Sequence, residues 1–253
     1  MSTTLDSPFI VFALSLAAQW LGAYCGDLFR RRVHRLNKNG HADFDKIQAA
    51  VLTLLALIIG FTFSMAVTRY DQRKNYEAAE ANAIGTEYVR ADLLPAGDAA
   101  KVHQLLRDYL SQRIAYYETG DQRRTGEMDA DAARLQAELW SAILPPAQNQ
   151  PTPIVALTIG GMNDVLNAQS YTQAAWWNRI PVAAWAMMGL IAIACNVLIG
   201  YGERHSGLLL LLVLPIIVSI SFLLIADIDS PRGGVIRVLP HNLIALSQSM
   251  KAP

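Results

Sequence analysis

Four stretches without any Asp, Glu, Lys or Arg constrain the fold of this chain more than any other feature. A helix crosses the roughly 30 Å hydrocarbon core of a bilayer with about 20 mostly apolar residues. The four stretches are 20, 22, 23 and 21 residues long and cover Ser7–Gly26, Ile47–Thr68, Ile180–Gly202 and Ser206–Ala226. The sequence therefore predicts an all-α integral membrane protein with four transmembrane helices.

The charged residues are segregated from these stretches. The 21 basic and 21 acidic residues all lie elsewhere in the chain, where the composition is that of ordinary soluble protein. This segregation excludes a purely soluble enzyme, a disordered chain and an outer-membrane barrel, whose strands would be about ten residues of alternating polarity. The first stretch is expected to be a retained helix rather than a secretory signal, because the residues before it include Asp6 and no basic residue.

The segment between the second and third stretches is predicted to be a central extramembrane helical bundle. Arg69–Arg179 has 111 residues, of which 14 are acidic and 11 basic, so it offers no basic surface for nucleic acid. Apolar residues such as Val102, Leu106 and Tyr109 recur at steps of three to five, which indicates helices. Helix breaks are predicted at Leu94–Asp98, Gly120-Asp121 and Pro145-Pro146.

Proline and glycine positions predict how the long helices run. No proline occurs between Thr62 and Leu94, so the second transmembrane helix is predicted to continue beyond the membrane until Pro95 ends it. Gly160-Gly161 falls inside a predicted helix and marks either close packing or a bend. Pro215 predicts a kink in the fourth span.

The sequence divides into four predicted parts. They are a transmembrane hairpin (1–68, spans near 8–26 and 47–68), the helical domain (69–179), a second hairpin (180–226, spans near 180–202 and 206–226) and a C-terminal tail (227–253).

Motifs of catalysis and metal binding are absent from the sequence. It contains no GxSxG, HExxH, GxGxxG or P-loop pattern. The 5 histidines are scattered without metal-ligand spacing. Cys25 and Cys195 both fall in predicted spans, so no disulfide framework is expected. We therefore predict no catalytic residue, no metal and no cofactor.

Three runs carry a resemblance to a known family. Gly60–Tyr70 reads GFTFSMAVTRY and resembles the end of the second membrane helix of bestrophins, which are pentameric anion channels. The runs Glu80–Gly85 and Asp227–Gly234 are similar to the bestrophin-like family of four-span bacterial and plant proteins. This resemblance implies a homo-oligomer, with a pentamer as the bestrophin precedent, and membrane lipid and small ions as partners. The residues that carry the family motifs are Gly60, Glu80, Asn82, Pro95, Asn163, Arg179, Pro181 and Pro231.

The resemblance also implies a pore. The three positions that form the hydrophobic neck of bestrophins fall on Thr53, Leu57 and Phe61, and their spacing of four places them on one helix face. In a symmetric oligomer they would form stacked rings that gate by dewetting, although a threonine ring would be wider and wetter than an aliphatic one. The same face continues through Ser64, Met65 and Thr68. The alternative is that these side chains only pack or face lipid.

Ionisable residues at the predicted membrane edges form a second candidate site. They are Arg69, Asp227, Asp229 and Arg232. Charges at this depth are costly and are usually paired or functional. Asp227 is predicted to pair with Arg69, with Arg232 as the competing partner. Asp229 is expected to be a solvated stop signal.

Of three functions weighed from the sequence, a transporter with a midplane site is the least favoured, because the sequence shows neither internal repeats nor discontinuous spans. Two others remain. One is a bestrophin-like channel or pore-forming oligomer that conducts small ions across a bacterial membrane. The other is a non-conducting sensor or scaffold whose helical domain binds a protein partner. The protein is expected in the cell (inner) membrane, with the central domain and both termini on one side. The basic first loop places that side outside, whereas the resemblance to bestrophins places it in the cytoplasm, which we favour.

Overall fold

The computed structural model describes residues 7–32, 38–119, 122–202 and 210–251, and every regular element within these ranges is helical. The predicted break at Gly120-Asp121, and the start of the fourth stretch at Ser206, lie outside the described residues. The helices are α1 (Pro8–Arg32), α2 (Lys38–Arg90), a 3₁₀ turn (Ala91–Leu93), α3 (Ala96–Glu118), α4 (Gln122–Asn149), α5 (Pro153–Trp177), α6 (Val182–Gly202), α7 (Leu210–Asp229) and α8 (His241–Ser249).

Within the described residues, four helical segments are long and apolar enough to cross a membrane, which agrees with the predicted all-α membrane fold. They are Pro8–Arg32, Asp43–Leu93, Pro153–Gly202 and Leu212–Asp229. The second segment carries charged residues at Asp43–Lys46 and from Arg69 onward. The third segment, which contains α5 and α6, carries Asp164 and Arg179. We therefore take the uncharged stretches as the membrane-spanning parts.

The chain divides into two compact units, of which the first contains Met1–Arg69 and Arg179–Arg237. In this unit α1 packs against α6 and α7, and α6 packs against α7. Small residues bring α1 and α6 together: a Cβ on Gly26 would overlap the carbonyl oxygen of Val197, and one on Gly200 would overlap that of Ala23. Glycine at such crossings lets two helix backbones approach closely within a membrane.

A polar cluster joins three helices inside the first unit. The amide nitrogen of Gln19 on α1 donates to Ser219 Oγ on α7 at 3.1 Å. The amide nitrogen of Asn196 on α6 donates to Gln19 Oε1 at 3.1 Å. All three side chains are buried. Hydrogen bonds of this kind between spanning helices contribute roughly 0.6–2 kcal/mol each.

The second unit contains Tyr70–Asn178 and Val238–Pro253. Within it α3 packs against α4 and α8, and α4 packs against α5. The predicted apolar stripe on α3 lies in its core, since Val102, Leu106 and Tyr109 have no exposed surface. Glu77 on α2 holds the start of α8, because its carboxylate accepts hydrogen bonds from the backbone amides of Asn242 at 2.9 Å and Leu243 at 3.0 Å.

The predicted helix boundaries hold at Pro95 and fail at Pro145-Pro146. Helix α2 continues without a break to Arg90, and the 3₁₀ turn ends just before Pro95, as predicted. In contrast, α4 passes through both prolines and ends at Asn149. Two prolines each remove one helical hydrogen bond, but their fixed φ suits a helix. The adjacent Ala142 and Ile143 are buried in the core, and this packing keeps the last turn helical.

Candidate functional site

The predicted pore residues all lie on the exposed side of α2. Leu57, Phe61 and Met65 are 52%, 65% and 38% exposed in the single chain. Three hydroxyl residues share this exposed side, namely Thr53, Ser64 and Thr68. The opposite side is buried, as Leu55, Thr62 and Ala66 show. The face is therefore free to meet lipid, water or a second copy of the chain.

The hydroxyl groups on this face are partly satisfied within the helix. Thr53 Oγ1 donates to the carbonyl oxygen of Ala49 at 2.8 Å, and Thr68 Oγ1 donates to that of Ser64 at 2.9 Å. These bonds use the hydroxyl hydrogen and leave oxygen lone pairs available to water or a cation. Chemically, the face combines weakly polar positions at its two ends with an apolar middle at Leu57 and Phe61.

A second surface of α2 faces α7 across an apolar cleft of about 510 Å³. Phe63 lines this cleft from α2, and Ile217 and Val218 line it from α7. Phe63 and Phe61 are two residues apart, which turns the helix by about 200°. The two phenylalanines therefore lie on different sides of the same helix, and only Phe61 belongs to the candidate pore face.

Asp229 is buried and bonded, which corrects the expectation that it is a solvated stop signal. It is 2% exposed. Its Oδ2 accepts a bond from Arg179 Nε at 3.3 Å, and its Oδ1 accepts one from the backbone amide of Ile180 at 3.1 Å. The chain is not helical just before α6, so the Ile180 amide lacks a helical partner and Asp229 supplies one. The carboxylate thus ties the end of α7 to the start of α6.

Asp227 organises the turn that follows α7. Its carboxylate oxygens accept hydrogen bonds from the backbone amides of Val235 at 2.7 Å and Ile236 at 2.9 Å. A Cβ on Gly234 would lie 2.6 Å from the carbonyl oxygen and from Oδ1 of Asp227, so the turn requires glycine there. Arg232 is buried and Arg69 is half-buried. The pairing of Asp227 with Arg69 stays a prediction.

Glu80 is the centre of a buried polar cluster in the second unit. Its carboxylate forms a salt bridge with the guanidinium of Arg113 on α3 and accepts hydrogen bonds from Tyr117 at 3.3 Å and Thr172 at 3.2 Å. Glu80 and Arg113 are no more than 1% exposed. Burial raises the pKa of the Tyr117 phenol, and the neighbouring Glu80 carboxylate raises it further. The cluster joins α2, α3 and α5 through one carboxylate.

Sequence reasoning marked Glu80 and Arg179 as motif residues but missed the partners of both. The Gly22-x-x-x-Gly26 spacing was a detectable signal for the close contact of α1 with α6. The other motif residues lie at or near the surface. Pro231 is half-buried, and the exposed ones are Gly60, Asn82, Pro95, Asn163 and Pro181.

Among the described residues, no three His, Cys, Asp or Glu side chains come together in a way that could hold a metal.

Comparison with known proteins places these features in one family. The model of the family described as Bestrophin-like domain matches residues 13–243. No curated protein matches the chain. The fold is similar to crystal structures of a bacterial bestrophin homologue from Klebsiella pneumoniae. A tryptophan-to-alanine variant of that protein has 14% identity and a TM-score of 0.65, covering 99% of this chain and 96% of the other. A structure phased on zinc has 15% identity and a TM-score of 0.62, covering 96% and 95%. The chain therefore belongs to the Bestrophin-like family.

Proposed function

We propose that the protein forms a homo-oligomer, a pentamer on the bestrophin precedent, that conducts small ions through a pore lined by α2. One observation supports this most directly: the exposed face of α2 combines bulky apolar side chains with the hydroxyl residues Thr53, Ser64 and Thr68. A purely lipid-facing surface would gain nothing from hydroxyl groups, whereas a pore needs positions that water can wet. Leu57 and Phe61 would form the apolar constriction.

Membership of the Bestrophin-like family supports the same proposal. The fold is that of a bacterial bestrophin homologue over nearly the whole chain, and the candidate neck lies on the helix that the resemblance identified. The turn that Asp227 organises after α7 and the Arg179–Asp229 ion pair would hold α6 and α7 in place beside the pore-lining helix. On this proposal the second unit and both termini lie in the cytoplasm.

Ion flux into liposomes tests the proposal. The purified protein is reconstituted at increasing protein-to-lipid ratios, its stoichiometry is measured in detergent, and entry of small anions and cations is followed separately. We expect an oligomer, and flux that increases with protein dose. A monomer, or a correctly assembled oligomer without flux for any small ion, would contradict a pore.

The alternative is a scaffold whose second unit binds a protein partner. Val89 is 67% exposed, Ile154 55%, and Trp177 73%. In this alternative these side chains would belong to a contiguous apolar surface that the partner covers. The liposome experiment separates the two functions, because a scaffold forms an intact assembly that passes no ions.

A further inference from the structure

A carboxyl group in the second unit is buried without a hydrogen bond. Glu87 lies one turn before the end of α2 and has no exposed surface. Neither of its carboxyl oxygens has a hydrogen-bond partner among the described residues. An ionised carboxylate is poorly tolerated in such a place, because it has lost water and gained no donor. The group lies outside the uncharged stretches, and the proposed pore does not use it.

The space for this carboxyl group exists because residue 161 is glycine. Gly161 lies in the middle of α5, and a Cβ built there would overlap Glu87 Oε2 and Arg90 Nη1. The neighbouring Gly160 faces open space. Glycine weakens a helix relative to alanine, so its presence at position 161 is best explained by the close approach of the Glu87 side chain. Of the glycine pair marked in the sequence, Gly161 is therefore a packing site.

The charged groups around Glu87 shift its pKa in opposite directions. Arg90 on the same helix favours the ionised form, and Asp164 on α5 opposes it. On the α3 side, His103 and Arg107 contact the carbonyl and hydroxyl oxygens of the adjacent Tyr88, each at 2.8 Å. Burial is the largest influence, and it raises the pKa of Glu87 from 4.5 to about 8.

We propose that Glu87 is a proton-binding site whose neutral carboxyl group holds the end of α2 against α5 at Gly161, and that ionisation loosens this contact. In the closed contact the pKa of Glu87 is raised, so protonation of Glu87 stabilises this contact. Relative to an open form with the ordinary pKa, opening should therefore become easier as the pH rises from 4.5 to about 8 and level off above that. The steepest possible change is about tenfold in the opening equilibrium per pH unit.

Hydrogen exchange of the full chain in detergent tests this site without any measurement of conduction. Peptides that contain Glu87 or Gly161 are followed across this pH range, with rates corrected for the intrinsic pH dependence of exchange. In the wild type the corrected exchange should increase with pH and then level off. Glu87→Gln should remove the increase, whereas Glu118→Gln, a matched change at an exposed side chain, should retain it.

A second variant keeps the test decisive if Glu87→Gln fails to fold. Gly161→Ala would displace the carboxyl group from its space, and it should therefore reduce the pH dependence in the same peptides. A flat wild-type profile between pH 4.5 and about 8 would overturn the proposal. The proposal would also be overturned if Glu87→Gln or Gly161→Ala showed the same pH dependence as the wild type.

Discussion

Phe61 is the residue on which the proposed constriction most depends. Phe61 is 65% exposed in the single chain, so truncation would remove little packing within one subunit. If Phe61 rings narrow the pore, Phe61→Ala should widen and wet it. We expect ion flux into liposomes to increase several-fold at unchanged protein abundance, measured at matched protein-to-lipid ratios.

Phe63 provides the matched control for this experiment. Phe63→Ala makes the same chemical change two residues away, but in the cleft between α2 and α7. It should leave flux per assembled oligomer near the wild-type value. If Phe61→Ala instead lowers the abundance and flux together, Phe61 is a packing residue and the proposed gate is wrong.

Asp229 offers a test, by single substitutions, of the membrane-edge site. Asp229→Ala removes the acceptor for the buried Ile180 amide and for Arg179 Nε. Leaving a buried amide unsatisfied costs about 1–3 kcal/mol, so the midpoint of thermal unfolding in detergent should fall by several degrees. Asp229→Asn keeps a side-chain oxygen that can accept a hydrogen bond from the Ile180 amide, so it should lower the midpoint by less. If both variants lower the midpoint equally, the charge of Asp229, and not its bond to the backbone, stabilises the fold.

At the scale of helices, the crossing of α1 and α6 depends on glycine. A methyl group at Gly26 would overlap the backbone of Val197, which cannot move without separating the helices. Gly26→Ala should therefore reduce the yield of folded protein and its thermal stability. Both can be measured by size-exclusion chromatography and unfolding in detergent.

Gly60 is the control for this prediction. A Cβ there would meet nothing within 4 Å, so Gly60→Ala should be tolerated by the fold of the single chain. It should even gain roughly 0.5–1 kcal/mol of helix stability. An unstable Gly60→Ala variant would place another helix, or a second subunit, against Gly60.

The orientation of the whole molecule is open to a direct measurement. Seven basic residues near span ends would lie on one side and six on the other, so the overall charge balance does not decide between them. We expect a reporter fused after Pro253 to be active when it is a cytoplasmic enzyme and inactive when it requires export. The opposite result would place the second unit outside the cell and show that the basic first loop determines orientation.

Much of the architecture followed from local properties of the sequence. Apolarity over about 20 residues decides whether a helix can span a membrane, and it needs no knowledge of neighbours. The absence of proline before Pro95 likewise predicted the long α2, and the spacing of Val102, Leu106 and Tyr109 predicted a buried stripe. The family resemblance marked the Asp227–Gly234 turn as a site, but it did not predict what the residues of this turn do.

The partners of the buried polar groups were decided only by the tertiary structure. Asp229 meets Ile180, which is 49 residues away in the chain, and Glu80 meets Thr172, 92 residues away. Glu87 finds its space only because Gly161 on another helix faces it. The sequence by itself determined which segments are helical and which can cross a membrane, because those properties come from residues a few positions apart. Which helix faces meet depends on packing between distant segments, so the tertiary structure alone decided which charges are buried and what satisfies them.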